Sequence, residues 1–369
     1  MKPIVKILHT EWSRGWGGQE IRIIAECRAF IDKGYRMEIA CKSGSRIMKA
    51  AKEHGITVHP FPFLSPLDVR TVLLLARFLK KHHVDLVHTH SSVDSWNASL
   101  AGRLAGVPVV RSRHLSAPIS KSVFSRLLYM GLADRVITSG QVIKDRMIRK
   151  NRFNPARIVS VPAGVDERRF RPVSDAEPVR REFGLSPDDF VLGIVAILRS
   201  WKGHEILLEA SKQLLGRIPN LKVMIVGDGP YRETLVNRTR DLGLESRVIF
   251  TGFRKDVPEL LGAMNVFALP STQNEATSQV IPQAMLAGVP AIASSAGGLA
   301  EVIDQGRTGF LVPPNDPKSL AEAVYSVFSR PEEAAGMAKA AREAALEKWT
   351  FSGMIGKTEA VYQSILDHR

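Results

Sequence analysis

Only two cysteines, Cys27 and Cys41, occur in 369 residues. Two thiols build neither a disulfide framework nor a cysteine zinc site, so the chain suits a reducing cytoplasm. No run of about eighteen uncharged apolar residues is present, which excludes a membrane-spanning helix. Ile4, Val5, Ile7 and Leu8 form an apolar patch, but His9, Thr10, Glu11 and Trp12 follow at once. Without a longer apolar stretch and a small-residue cleavage site, this start reads as a first β-strand rather than a signal peptide. Short repeats and low-complexity tracts are missing. So is any Asp-x-Asp pair that would hold a divalent metal on a diphosphate.

What is present is 44% hydrophobic and 24% charged, an ordinary globular mixture at a length that suits two domains. The net charge of +14 is uneven. Residues 1–170 carry 29 Lys and Arg against 13 Asp and Glu, a net +16; the remainder carries 22 against 24. The basic half is expected to face something anionic, such as a membrane leaflet or a phosphorylated glycolipid.

Short apolar runs alternate with amphipathic segments. Ile4–Leu8, Met37–Ala40, Leu86–Thr89, Val107–Arg111, Arg135–Thr138 and Ile158–Val161 read as strands. Glu20–Lys33, Val69–His82, Trp96–Ala105 and Val123–Gly131 read as helices between them. Linker chemistry interrupts at Arg171–Pro178. The alternation then resumes, with strands at Phe190–Ala196, Lys222–Val226, Val248–Thr251, Val266–Leu269 and Pro290–Ala293. Helices are expected at Glu205–Leu215, Tyr231–Leu242, Val257–Met264, Ser278–Ala287 and Pro317–Ser329. The fold class is therefore α/β: two doubly wound parallel-sheet domains, residues 1–170 and 171–350, with a C-terminal helix over 351–369. Ligands in such sheets lie beyond the carboxyl ends of the strands, so an interdomain cleft is expected.

The candidate residues sit at those ends. Gly17 and Gly18 follow strand one and open a helix, where free backbone N–H groups favour an anion. A full dinucleotide fingerprint is absent. The second strand runs into Lys42 and Ser43 rather than an acid, which argues against a nicotinamide dehydrogenase. Arg199 and Lys202, before Gly203, suit a diphosphate. Gly227-Asp228-Gly229-Pro230 is a sharp turn, and its glycines allow a flat base to approach. The stretch from Leu269 to Pro290 carries one acid, Glu275, in a polar loop. A helix follows, and Pro282 requires its first turn to begin near Gln279.

These strings together resemble the retaining family 4 glycosyltransferases of GT-B fold. The matches include Lys202-Gly203, Val226–Pro230, Leu269-Pro270-Ser271, Glu275, Gln283-Ala284-Met285, Ala287–Pro290 and Thr308–Val312. In the first half, Gly17–Glu20, Asp85–His90 and Val161–Asp166 match. The resemblance covers nearly the whole chain and assigns roles by position. The first half becomes the acceptor side and the second the donor side, with the C-terminal helix packing back toward the first. Glu275 would bind donor-sugar hydroxyls. Ala276, Thr277 and Ser278 would face the diphosphate, with Lys202 beside them. His114 would lie near the reacting sugar, and Gly17 and Gly18 would close over the phosphates.

Three positions depart from the family pattern. Gln283 stands where a second glutamate usually holds the ribose, and an amide both accepts and donates where a carboxylate only accepts. Arg199 lies three residues before Lys202 instead of five. Ala163 replaces an asparagine in a turn. Of the histidines, His114 is the active-site candidate and His90 an acceptor-side candidate, while His9, His54, His59, His82, His83, His204 and His368 read as structural or solvent-facing. The implied activity is metal-independent, retaining transfer from a UDP- or GDP-sugar to a glycan, glycolipid or lipopolysaccharide-type acceptor in cell-envelope synthesis. The expected location is cytoplasmic, peripheral on the inner face of the plasma membrane, with 144–153 and 69–83 as candidate membrane segments. No nucleic-acid motif accompanies the positive charge. The alternatives are a nucleotide-sugar epimerase on the same scaffold and a non-catalytic sugar-nucleotide binding protein.

Overall fold

The computed structural model describes residues 4–114, 117–273 and 278–367. Contacts divide the chain into two compact units, Met1–Ala163 with Met354–Arg369, and Gly164–Gly353.

Unit 1 is a seven-stranded parallel sheet. Its strands are β1 Lys6–Glu11, β2 Arg36–Cys41, β3 Thr57–Pro60, β4 Leu86–Thr89, β5 Val109–Arg113, β6 Arg135–Thr138 and β7 Ile158–Ser160, in the order β3-β2-β1-β4-β5-β6-β7. The helices are α1 Gly18–Asp32, α2 Arg46–Glu53, α3 Val69–Lys81, α4 Ser92–Ala105, α5 Val123–Arg126 and α6 Gln141–Asn151. The single helix expected over Val123–Gly131 is instead α5 followed by a π-helical turn, Leu127–Leu132. Buried aliphatic runs make the central strands; Ile7, Leu8, Ile39, Leu86, Val87, Val109 and Val110 are essentially without solvent contact. Capping fixes the helix starts. Ser91 and Asp94 form a reciprocal box on α4, and Asp68 accepts the Thr71 N–H on α3.

Unit 2 is a six-stranded parallel sheet ordered β10-β9-β8-β11-β12-β13. Here β8 is Phe190–Val195, β9 Leu221–Val226, β10 Val248–Gly252, β11 Val266–Leu269, β12 Ala291–Ser294 and β13 Phe310–Val312. Its helices are α7 Glu177–Glu182, α8 His204–Leu214, α9 Arg232–Asp241, α10 Val257–Gly262, α11 Val280–Leu286, α12 Pro317–Ser329 and α13 Pro331–Lys348. The linker-like stretch Arg171–Pro178 lies inside this unit and ends within α7. Helix α11 begins at Val280 with Pro282 third, in the first turn where a missing N–H costs little. A last helix, α14 Phe351–Leu366, supplies residues 354–366 to unit 1, where Tyr362 is fully buried and packs against Phe30.

Both sheets reverse their winding direction once, between β1 and β4 in unit 1 and between β8 and β11 in unit 2. At such a point, adjacent strands send their connections to opposite faces and leave a crevice at the carboxyl edge.

Candidate functional site

In unit 2 the loops leaving β8, β9 and β11 lie side by side, because β8 is hydrogen-bonded to the other two strands. They are also tied to one another. Leu198 N–H donates to Asp228 O at 3.0 Å, and Thr272 N–H donates to Trp201 O at 2.9 Å. Gly203 is left-handed, at φ 80°, and a Cβ there would stand 1.9 Å from Pro270 O. Only glycine permits that approach. On the far side, Ser294 Oγ donates to Ser271 O at 2.6 Å.

Lys202 closes the short turn Ser200–Lys202 through its N–H to Arg199 O at 3.1 Å, and its side chain is half-buried. Arg199 is exposed and lies over the Trp201 ring, 5.0 Å from its centroid. Gly227, at φ 136°, packs against Ala196 O, and Gly229 against Leu198 O. Asp228 caps its own turn through Gly229 N–H at 2.8 Å, which makes it a turn residue. The structure thus gathers Arg199, Lys202, Gly227 and Gly229 at one sheet edge. Glu275, Ala276 and Thr277 lie outside the described residues. Gln283 is half-buried and sits one turn into α11, whose N-cap is Gln279.

In unit 1 the corresponding crevice is polar and buried. Glu11, at the end of β1, accepts from Ser13 N–H at 2.8 Å, from Ser91 Oγ at 2.9 Å and from Gln19 Nε2. Burial, and secondarily the charge of Asp94, push its carboxyl up to about 7. Asp94 accepts from Thr10 Oγ1, His90 N–H and Ser91 N–H. Of the loop glycines, Gly17 gives its N–H to Glu20 Oε2 at 2.8 Å. Gly17 has extended backbone, and a Cβ on Gly18 would meet nothing within 4 Å. Neither position needs glycine for its own fold.

His9, structural or solvent-facing by its sequence, lies in the buried polar interior of unit 1. It is fully buried opposite His88 in the β1–β4 register, and joins His88, His90 and His114 in one array. His9 Nδ1 lies 2.9 Å from His90 Nε2, and His90 Nδ1 lies 3.0 Å from His114 Nε2. His88 bonds the Tyr362 hydroxyl through Nδ1 at 2.6 Å and Ser112 Oγ through Nε2 at 2.8 Å. Burial drives His9 down to about 3 and holds His88, His90 and His114 well below the usual imidazole range, so all four are neutral at pH 7. His114 keeps partial solvent access. The available signal was parity: positions 88 and 90, and 112 and 114, alternate onto one sheet face. His9, His88 and His90 each place a ring nitrogen within 4.8 Å of the others, a spacing open to a metal ion. The cysteines are free, buried and away from any such group.

Comparison with known proteins gives two family-model matches, "Glycosyl transferases group 1" over residues 175–344 and "Glycosyltransferase Family 4" over residues 16–169. A UDP-Gal:alpha-D-GlcNAc-diphosphoundecaprenol alpha-1,3-galactosyltransferase of Escherichia coli is 32% identical over 273 residues, 70% of each chain. A GDP-mannose-dependent alpha-(1-6)-phosphatidylinositol monomannoside mannosyltransferase of Mycolicibacterium smegmatis is 29% identical, over 85% of this chain and 82% of that one. Among solved structures, Anabaena HepE in complex with UDP superimposes with a TM-score of 0.87 at 26% identity, covering 98% of this chain and all of that one. A glycosyltransferase from Rickettsia africae reaches a TM-score of 0.91 at 22% identity, covering 99% of this chain and all of that one.

Proposed function

The chain belongs to the group 1, family 4 glycosyltransferases of GT-B fold, and from that membership we propose a retaining, metal-independent transferase that builds a cell-envelope glycan. Unit 2 is its donor half and unit 1 its acceptor half. The observation that carries the reading is the trio of tied loops at the unit 2 crevice, with half-buried Lys202 on the central one. A cation carried on so firmly tied a turn suits a diphosphate.

The donor is a UDP- or GDP-sugar, as it is for relatives named for UDP-galactose and GDP-mannose. Glu275 takes the sugar hydroxyls. Lys202, Arg199 and the N–H groups of Ala276, Thr277 and Ser278 take the diphosphate. Gly227, Gly229 and Gln283 take the nucleoside. Gly17 and Gly18, which neither backbone nor packing requires, leave the helix start of unit 1 open to an anion. The sugar C1–O bond to phosphate breaks, the acceptor oxygen bonds C1 on the same face, and the departing phosphate oxygen takes the acceptor's proton. No paired carboxylates are needed for this.

Thermal-shift screening with UDP- and GDP-sugars tests the donor. One base series should raise Tm with saturation, since a ligand stabilises the state that it binds. No shift from either series would defeat the reading. Release of nucleotide only in the presence of an acceptor separates a transferase from an epimerase. Donor binding without turnover across an acceptor panel would leave a binding protein.

Peripheral attachment to an anionic membrane is supported by two segments of unit 1. Helix α3 buries Thr71, Val72, Leu75, Ala76 and Leu79, yet exposes Val69, Leu73 and Leu74 beside Arg70, Arg77, Lys80 and Lys81. Around α5, Val123 is 81% and Phe124 68% exposed, flanked by Lys121 and Arg126. By contrast, α6 carries the basic run from Lys144 but no large exposed apolar side chain. No helix among the described residues is long and apolar enough to cross a membrane. Phe124→Glu should weaken sedimentation with anionic vesicles about tenfold, the worth of one apolar side chain withdrawn from water. Equal recovery of variant and parent would contradict this.

A further inference from the structure

The contacts of the histidine array run in one unbranched line: Ser112 Oγ, His88, the Tyr362 hydroxyl, His9, His90, His114. Each neutral imidazole owns one proton, with one nitrogen donating and the other accepting. Between two rings a reversed link sets two lone pairs or two N–H groups face to face in a buried site, whereas the Tyr362 hydroxyl can also accept from both sides. Following the line gives three solutions. All four rings carry their proton on Nε2, or all four on Nδ1, or His88 alone on Nδ1 with the other three on Nε2.

The Tyr362 hydroxyl decides between them. It stands 2.6 Å from His88 Nδ1 but 3.4 Å from His9 Nε2. The short contact has the length of an O–H donor; an N–H donor typically sits near 2.9 Å. Tyr362 therefore donates to His88 Nδ1 and accepts from His9 Nε2. Each subsequent link then fixes the next, out to His114.

We propose that Tyr362, His88, His9 and His90 form a polarity-locked chain that holds His114 as its Nε2–H tautomer and leaves His114 Nδ1 as a hydrogen-bond acceptor for a substrate hydroxyl. His114 is the only one of the four residues that is not buried, and its Nδ1 has no partner among the described residues. The other members are positioning residues that act through it. The substrate half of this inference rests on the glycosyl-transfer reading, while the tautomer half does not. A metal ion on His9, His88 and His90 is the competing occupant, and the geometry disfavours it. Its lone pairs are those already engaged in the chain, no carboxylate completes the set, and the Arg22 cation lies close enough to act on His88 and His90.

The test is long-range proton–nitrogen NMR on the full chain labelled at histidine, at about pH 7.5, where a free imidazole is mostly neutral. The four buried or half-buried rings should all report Nε2–H. A ring of the array found as Nδ1–H or as imidazolium would overturn the chain. Tyr362→Phe removes only the hydroxyl. It should leave the amide spectrum of the sheet unchanged while His114 becomes a mixture of tautomers; an unchanged His114 would overturn the lock. With donor and acceptor supplied, the same variant should lose about tenfold in kcat with donor KM moved less than about twofold. Intact tautomers without any transferase activity would count against the function and leave the chain standing. Stoichiometric binding of added zinc that erases the tautomer signals would replace the chain with a metal site.

Discussion

Lys202→Ala should lower kcat for sugar transfer by roughly 10²–10³, the loss typical of removing one preorganised charge donor from a site of developing anionic charge. The size of the effect follows from how the lysine is held. Its backbone closes a turn on Arg199, the preceding residue Trp201 is bonded to Thr272, and the following residue Gly203 is pressed against Pro270. The backbone that carries the lysine is thus set before the donor arrives, so little main-chain reorganisation is left for the reaction. Glu275→Ala should be equally damaging, because the loop offers no second acid between Leu269 and Pro290. Arg199→Ala should cost less, since the exposed guanidinium lies over Trp201 where solvent screens it. Steady-state kinetics with the accepted donor, with circular dichroism to confirm the fold, checks all three. Near-normal turnover by the Glu275 or Lys202 variant would remove the basis of the proposed donor site.

Unit 1 should lose stability steeply on mild acidification. His9, His88, His90 and His114 are held neutral in the fold, with His9 down to about 3, and each binds a proton near 6.5 once unfolded. Below pH 6.5 the unfolded state therefore binds more protons, and stability falls as pH falls. Glu11 works in the opposite direction. Its carboxyl, raised to about 7, favours folding as pH drops from 7 toward 4.5, and Asp94 is shifted in the same sense. Four histidines outnumber two carboxyls, so the histidines set the sign and stability falls as pH drops below about 6.5. Hydrogen exchange read by peptide should show residues of β1, β4 and β5 opening at a pH where β8, β9 and β11 remain protected. Equal protection of both sheets down to about pH 5 would show that the histidines are not buried neutral.

Much of this fold is legible because most strands of a doubly wound sheet are covered on both faces and read as plain apolar runs. Leu86–Thr89, Arg135–Thr138 and Val266–Leu269 match the expected spans. The two strands not foreseen, Thr57–Pro60 and Phe310–Val312, are sheet edges of three or four residues. Their half-exposed side chains and, at the first, His59 and Pro60 mask the strand pattern. Helix α7 was hidden by Pro178, which the first turn of a helix accepts. At the site, glycines and cations were visible because short motifs fix them locally. His9 was not, since nothing near it in sequence distinguishes it from a core histidine. Its partners arrive from positions 90 and 362. Gln283 was visible as a departure from the family, and the start of α11 near Gln279 was visible from Pro282, which only a first turn accepts.

The return of α14 to unit 1 has a consequence for how the protein is made. Residues 164–353 are contiguous and can fold as they leave the ribosome. Unit 1 emerges first yet cannot finish, because Tyr362 and the Glu359 partner of Tyr35 and Lys33 are synthesised only after the whole of unit 2. Throughout translation of the second unit, the first must persist with the Phe30 ring and the His88 nitrogen uncovered. A break in the chain just before Met354 would therefore leave the later-made unit intact and strand the earlier-made one in that unfinished state.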